Sequence, residues 1–376
     1  MVLAPIRTMA SRPYLEWIGT NKGDGMTTSA LTHGTAGDAL SPAPLMQLAT
    51  GFYSFETFAT AVELGLFTRL AGGRRVTVEE LAAEFGFAHR PADLLLVACA
   101  SLGLLEKDGD AYRNAPLAEE YLVAGRPAYF GGFVRFCEHR EYLGWHKLID
   151  ALRGDRPVTW DPETQDSLFS DVDPVMLELF WEAMHSLSMS TAACLADAYD
   201  FAGHTRLLDV GGGSGAFPIV LCRRHPHLRA TVYDLPHVCE QARQKIDAAG
   251  LGGKVTTQAG DFRDQRGLPE AHDVILLSNI LHDWDERTGR DLLTACHRAL
   301  VPGGVVLISE LLLNSERTGP PAAALMGMNM LVETVGGKNY SGDELTSWLT
   351  DAGFHGVQII EIDAAGANGV VVARKQ

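Results

Sequence analysis

Two short segments carry residue types that could do chemistry. The first is Leu207-Leu208-Asp209-Val210-Gly211-Gly212-Gly213-Ser214-Gly215, an apolar run ending in closely spaced glycines. Glycine lets a backbone turn tightly and lets a ligand approach with no Cβ in the way, so Gly211 and Gly213 predict a cradle for a nucleoside-containing ligand. The second is Leu281-His282-Asp283-Trp284, whose imidazole can accept a proton near neutral pH. Glu310 ends a later apolar run and supplies a carboxylate that could hold the imidazole tautomer and stabilise its charged form.

The turn alone leaves the ligand open. Gly211-x-Gly213-x-x-Ala216 also satisfies the dinucleotide fingerprint, so NAD and S-adenosylmethionine both remain. Asp234, at the end of the next apolar run, can accept both ribose hydroxyls of either ligand. Asp261-Phe262 follows a third run and offers a carboxylate and an aromatic wall to an adenine ring, a contact that favours S-adenosylmethionine. A single aspartate at a strand end serves as readily as a helix cap. Asp209, Asp234 and Asp261 at successive strand ends argue for a ligand.

These residues need a scaffold that brings them to one edge. After Phe201 the pattern alternates strands with helices, predicting a parallel sheet covered on both faces. Strands are expected near 205–210, 229–234, 254–259, 273–279, 304–311, 357–361 and 369–374, with a helix over 217–224 after the glycines. Strands joined by one right-handed crossover are commonly neighbours, so His282 and Glu310 should emerge at the same carboxyl edge as the glycine turn.

The N-terminal half reads differently. Leu45, Leu48, Phe52, Phe55, Phe58, Ala59, Val62 and Leu66 recur at helical spacing and predict one broad apolar face. Thr77 and Glu80 form a capping box for a second helix. A third is expected over 90–104, followed by a hairpin turning on Asp108-Gly109. Three helices and a hairpin make a winged-helix outline. The helix that would enter a DNA groove is nearly all apolar after Arg90, so its expected role is packing or dimerisation. From Tyr129 to Leu152 and Met176 to Tyr199, aromatic and Met residues recur at helical spacing, with Phe169 just ahead of the second stretch.

Charge and cysteine usage narrow the partners. A formal net charge of -16 gives no general attraction to nucleic acid or an anionic membrane. The six cysteines are scattered without a C-x-x-C pair, which argues against a metal site and fits a reducing cytoplasmic setting. No apolar stretch approaches a membrane span. Residues 1–40 lack periodicity and are expected to form a flexible leader, with Met9 or Met26 as alternative starts.

The motifs Leu208-Asp209-Val210-Gly211-Gly212-Gly213-Ser214-Gly215, Asp234-Leu235-Pro236, Gly260-Asp261-Phe262, Leu281-His282-Asp283-Trp284 and Met330-Leu331-Val332-Glu333 running into Gly336-Gly337-Lys338 together resemble those of a known family. It is the class I S-adenosylmethionine-dependent O-methyltransferases, which include plant caffeic acid, animal acetylserotonin and bacterial natural-product enzymes. The resemblance covers roughly residues 43–376. It implies an α/β protein: a leader over 1–40, a winged-helix-like dimerisation domain over 41–125, connecting helices over 126–200 and a Rossmann-like, doubly wound methyltransferase domain over 201–376.

By motif position, Gly211, Gly213, Asp234, Leu235, Asp261, Phe262 and Ser278 would line the cofactor, with Ser188 reaching it from a connecting helix. His282 would be the base, Glu310 its orienting carboxylate and Asp283 a substrate contact. Phe180, Met184, Asn329 and Glu333 fall where relatives line the acceptor pocket. Ser278 stands where plant enzymes have lysine, and Asn339 where they have a base-flanking glutamate. Either Glu333 substitutes for that carboxylate or Glu310 serves alone.

The implied activity is O-methylation of a small aromatic hydroxyl by a cytoplasmic homodimer, releasing S-adenosylhomocysteine, without metal, nucleic acid or membrane partner. Alternatives are C- or N-methylation on the same fold, an NAD-dependent dehydrogenase, or a winged-helix regulator.

Overall fold

A computed structural model describes residues 41–165, 174–264 and 267–376. The leader expected over 1–40 and Phe169 lie outside the described residues. The chain divides into two compact units, Met1–Tyr129 and Phe130–Gln376, so the connecting helices fall largely with the second.

In the first unit the long apolar face is cut into three helices, α1 (Ala43–Ala49), α2 (Gly51–Glu63) and α3 (Leu66–Arg69). Gly65 adopts a left-handed φ of 68° and ends α2. Ala59, Ala61, Val62, Leu66 and Phe67 are buried, whereas Leu45, Met46, Leu48, Phe52 and Tyr53 are exposed. Strand β1 (Val76–Thr77) leads into α4 (Val78–Phe85), and the Thr77–Glu80 capping box forms as expected. Helix α5 (His89–Ser101) is followed by the hairpin of β2 (Leu105–Asp108) and β3 (Ala111–Asn114), which turns through Gly109 at φ 63°. The three strands order β1-β3-β2, a wing on a helical body. Helix α6 (Pro116–Tyr121) closes the unit.

The second unit opens with α7 (Gly131–Phe136), a π-helical turn over Cys137–Glu141, α8 (Tyr142–Trp145), α9 (Leu148–Gly154) and α10 (Pro174–Ala198). Then come β4 (Arg206–Val210), α11 (Ala216–Arg224), β5 (Arg229–Asp234), α12 (Pro236–Ala248), β6 (Val255–Ala259) and β7 (His272–Ser278). After these follow α13 (Glu286–Ala299), β8 (Leu300–Glu310), α14 (Pro321–Glu333), α15 (Gly342–Asp351), β9 (His355–Glu361) and β10 (Gly369–Arg374). The seven strands order β6-β5-β4-β7-β8-β10-β9. Leu207, Leu208, Val210, Ile275, Leu277, Val306 and Ile308 are fully buried, as expected of central strands with helices on both faces.

Two expectations are corrected. The sheet is mixed, because β10 runs antiparallel to both β8 and β9. Only a short loop separates β9 from β10, too short for the helical crossover that a parallel neighbour requires. The strand expected near 304–311 begins earlier, at Leu300, and includes Pro302-Gly303-Gly304: pairing passes from His272↔Leu300 to Val274↔Val305, so this segment bulges out of a continuous strand.

Strand order reverses direction between β4 and β7, the position where open sheets of this kind bind ligands. The glycine turn leaves β4 at this point. Gly211, Gly213 and Gly215 have φ of 67°, 53° and 75°, and a Cβ on Gly211 would stand 2.4 Å from Ile280 Cδ1. Gly211→Ala should therefore cost about 1–2 kcal/mol in urea denaturation. Unchanged stability would mean that this turn is not held in the form described.

Candidate active site

Glu310 ends β8 and points back along the edge of β7. Its Oε1 accepts from the backbone N–H of Ile280 and of Leu281, both at 3.0 Å, and its Oε2 lies 2.5 Å from His282 Nδ1. The chain leaves β7 through Asn279 at φ 53° and enters a 3-10 turn over Leu281–Asp283. That turn brings the imidazole over the carboxylate. With Nδ1–H donated to Glu310, the second nitrogen, Nε2, is the one free to exchange a proton.

The electrostatics favour the charged ring. Burial pulls the His282 pKa down, but the charges of Glu310 and Asp283 and the Glu310 hydrogen bond outweigh it and raise it to about 9. Asp283 Oδ1 stands 3.5 Å from Nε2. Burial raises the Asp283 pKa, His282 lowers it, and Glu310 and Glu333 raise it again, leaving it at about 6. Its side chain remains 41% exposed.

The ligand cradle lies along the same edge. Asp234 Oδ2 accepts from Gly213 N–H at 2.9 Å and Oδ1 from Leu235 N–H at 2.7 Å. Each carboxylate oxygen can accept a further bond, so the pair of ribose hydroxyls expected there still finds acceptors. Burial raises the Asp234 pKa, opposed by these two backbone donors. Asp209 Oδ2, Ser278 Oγ and Asn279 Oδ1 are buried without hydrogen-bond partners among the described residues. Buried polar atoms left this way at an open glycine turn fit a polar ligand. Asp261 is more committed than expected, because Arg263 spans both its oxygens at 2.7–3.1 Å. Arg263 also lies over Trp284, 5.1 Å from the ring centroid, and Phe262 meets the same indole edge-on.

Of the residues expected to line the acceptor, Phe180 packs edge-on against Phe136 at 5.4 Å and Met184 is half-buried on the same helix, as is Ser188, expected at the cofactor. Asn329 Oδ1 accepts from Trp145 Nε1 at 2.7 Å. Glu333 is 4% exposed, and its Oε2 accepts from Arg140 at 2.8 Å and Thr159 at 2.9 Å. Its charge is felt at Asp283 and at Glu141, whose pKa burial and Glu333 raise to about 7. Among the described residues its bonded partners are thus Arg140 and Thr159, while the imidazole takes Glu310. Asn339 donates to the Leu311 carbonyl at 2.7 Å and is buried. Sequence reasoning did not single out Arg140, Glu141, Trp145 or Thr159. The polar run Cys137–Glu141 inside an aromatic stretch was the one signal, and it forms the π turn that presents Arg140.

Residues 145–355 match the O-methyltransferase domain family and residues 46–124 the O-methyltransferase dimerisation domain. The chain belongs to the S-adenosylmethionine-dependent O-methyltransferases. It is 46% identical to 3-hydroxy-5-methyl-1-naphthoate 3-O-methyltransferase of Streptomyces sahachiroi, over 91% of this chain and 98% of that one. Identity to the tetracenomycin polyketide synthesis 8-O-methyl transferase TcmO of Streptomyces glaucescens is 34%, over 89% and 97%. Human N-acetylserotonin methyltransferase, solved in complex with SAM, superposes with a TM-score of 0.78 at 28% identity, over 91% and 99%. Among the described residues of this methyltransferase, none of the helices is long and apolar enough to cross a membrane, and no cluster of residues could hold a metal ion.

The raised His282 pKa has a sign that can be checked. The imidazolium stabilises the fold, fully below the unfolded value of about 6.5, and that contribution is lost as pH rises through about 9. Nuclear magnetic resonance of the imidazole should find titration near 9, moving down in Glu310→Gln. A midpoint near 6.5 in both proteins would show that the carboxylate does not hold the ring.

Proposed function

We propose that this methyltransferase moves the methyl group of S-adenosylmethionine to a phenolic hydroxyl of an aromatic, polyketide-like acceptor, with His282 as general base and Glu310 as its orienting carboxylate. The observation that carries the reading is the 2.5 Å contact between His282 Nδ1 and Glu310 Oε2, at the sheet edge that also bears the glycine turn. Gly211, Gly213, Asp234, Leu235, Phe262, Ser278 and Ser188 hold the cofactor. Asp261 closes the adenine end, together with Arg263. The cofactor supplies a methyl group on a sulfonium, already activated toward an oxygen nucleophile. What is left to the chain is to align the acceptor and remove its proton.

Magnitudes decide how difficult that proton transfer is. A phenol near pKa 10 facing an ordinary imidazole near 6.5 opposes it by about 5 kcal/mol. A His282 imidazole held at about 9 leaves roughly one unit, about 1.4 kcal/mol. The base is then strong enough to draw the proton as the oxygen attacks. Below pH 9 most of the population carries a proton on Nε2, so the rate should climb toward that pH. Asp283, 3.5 Å away, is placed to take a hydrogen bond from the proton once transferred. Positioning of acceptor and donor supplies the remainder. Phe180, Met184 and Asn329 form the acceptor wall, and the Arg140–Glu333 pair braces it.

The acceptor class draws on the relatives that act on a hydroxylated naphthoate and a tetracenomycin polyketide. The dimerisation-domain match, with Leu45, Met46, Leu48, Phe52, Leu94 and Val97 exposed on that unit, supports a homodimer.

His282→Ala should lower turnover about 10²-fold or more on a phenolic acceptor, with cofactor affinity nearly unchanged. Full activity at neutral pH would remove the base assignment, and a loss confined to acceptor KM would make His282 a positioning group. Light scattering at micromolar concentration should give twice the chain mass. A fully active monomer would contradict the dimer.

A further inference from the structure

The hydroxyl inside the glycine turn is gripped from outside the sheet. Ser214 is 5% exposed, and its Oγ lies 2.8 Å from Nδ1 of His185 on α10. One turn earlier on that helix, Trp181 comes within 3.7 Å of the place a Cβ on Gly213 would occupy. Glu182 forms an ion pair with Lys245 of α12. Across the turn, the Gly213 N–H is bound to Asp234. The segment between β4 and α11 is therefore held by α10 on one side and by the carboxylate of β5 on the other.

Helix α10 has a second face of interest. Phe180, Met184 and Ser188 stand on it, and Ser188 follows His185 by a single turn. A shift of the helix against the glycine turn would move all three relative to the cofactor. Core packing of Ala192 and Leu195 and the hydrogen bond from Gly366 N–H to Thr191 Oγ1 fix the far part of the helix, and the His185–Ser214 hydrogen bond adds a directed contact at the glycine turn itself. The His185 ring is suited to this role, since burial lowers its pKa to about 4, with Lys245 lowering it further and Glu182 opposing. It is a neutral, fixed partner over the working range, with one nitrogen and the Ser214 hydroxyl sharing one proton in either direction.

We propose that His185 is a positioning residue that locks the acceptor-side helix to the cofactor turn: through Ser214 it fixes the backbone of residues 213–215 in the form that receives S-adenosylmethionine and sets Ser188 against it. The proposal rests on the reading of this turn as the cofactor site. Nothing passes covalently through His185, and its effect is on binding rather than on the proton transfer at His282.

The test is calorimetric titration of the full-length chain with S-adenosylhomocysteine. His185→Leu and Ser214→Ala should each weaken binding roughly five- to tenfold, the size expected for one lost hydrogen bond, and the double variant should be no weaker than either. His185→Asn, which presents an amide atom where Nδ1 stands, should bind within about twofold of the parent. In turnover the loss should fall on cofactor KM, with the pH of half-maximal rate unmoved. If His185→Leu fails to fold, Ser214→Ala carries the test alone, since it removes a single atom from the loop. Unchanged affinity in Ser214→Ala, or an Asn variant as weak as Leu, would overturn the proposal and leave His185 a packing residue. Asp234→Ala separates the two readings: it should weaken the same titration at least tenfold, and if it does not, the cofactor site itself is misassigned whatever His185 does.

Discussion

One buried carboxylate organises the reactive edge of this protein. Glu310 accepts two backbone N–H groups from the chain leaving β7 and faces the imidazole of His282 with its other oxygen. A carboxylate with 3% exposure is tolerable only where hydrogen bonds replace the lost water. Here the three partners that replace water are two backbone N–H groups of the turn after β7 and the His282 ring. The same interaction therefore fixes the geometry of residues 280–282 and raises the pKa of the imidazole. Removing it would leave the ring unheld and two backbone donors to find new acceptors.

The fold explains why that arrangement can exist next to a ligand cradle. Strands β4, β7 and β8 are neighbours, so the glycine turn, the His282 turn and Glu310 emerge side by side from a core whose rigidity comes from fully buried aliphatic residues. Ile280 links the two turns physically, since its side chain fills the space a Cβ on Gly211 would need. The glycine turn and the turn that carries His282 therefore share a wall.

Much of this was legible in the sequence because the signals were local. Strand, glycine turn and helix follow one another in the chain, and period-two and period-3.6 apolar patterns located most elements to within a few residues. The pairing of His282 with Glu310 followed from one topological rule. What the sequence hid was long-range or exceptional. The antiparallel insertion of β10 depends on how a short loop closes, and the bulge in β8 makes a turn signal sit inside a strand. Arg140 meets Glu333 across 193 positions, and His185 meets Ser214 through a helix whose pattern reads only as apolar. Asp261 looked free until Arg263, two residues on, folded back over it.

The central claim is that the Glu310-held imidazole removes the acceptor's proton during methyl transfer. The most direct measurement is the single-turnover rate on a phenolic acceptor as a function of pH, in the parent and in Glu310→Gln, beside the titration of His282 in the same proteins. The rate should rise to a plateau with a midpoint near the His282 pKa of about 9, and both midpoints should fall together in Glu310→Gln. A rate midpoint that stays in place while the imidazole pKa moves would contradict the account.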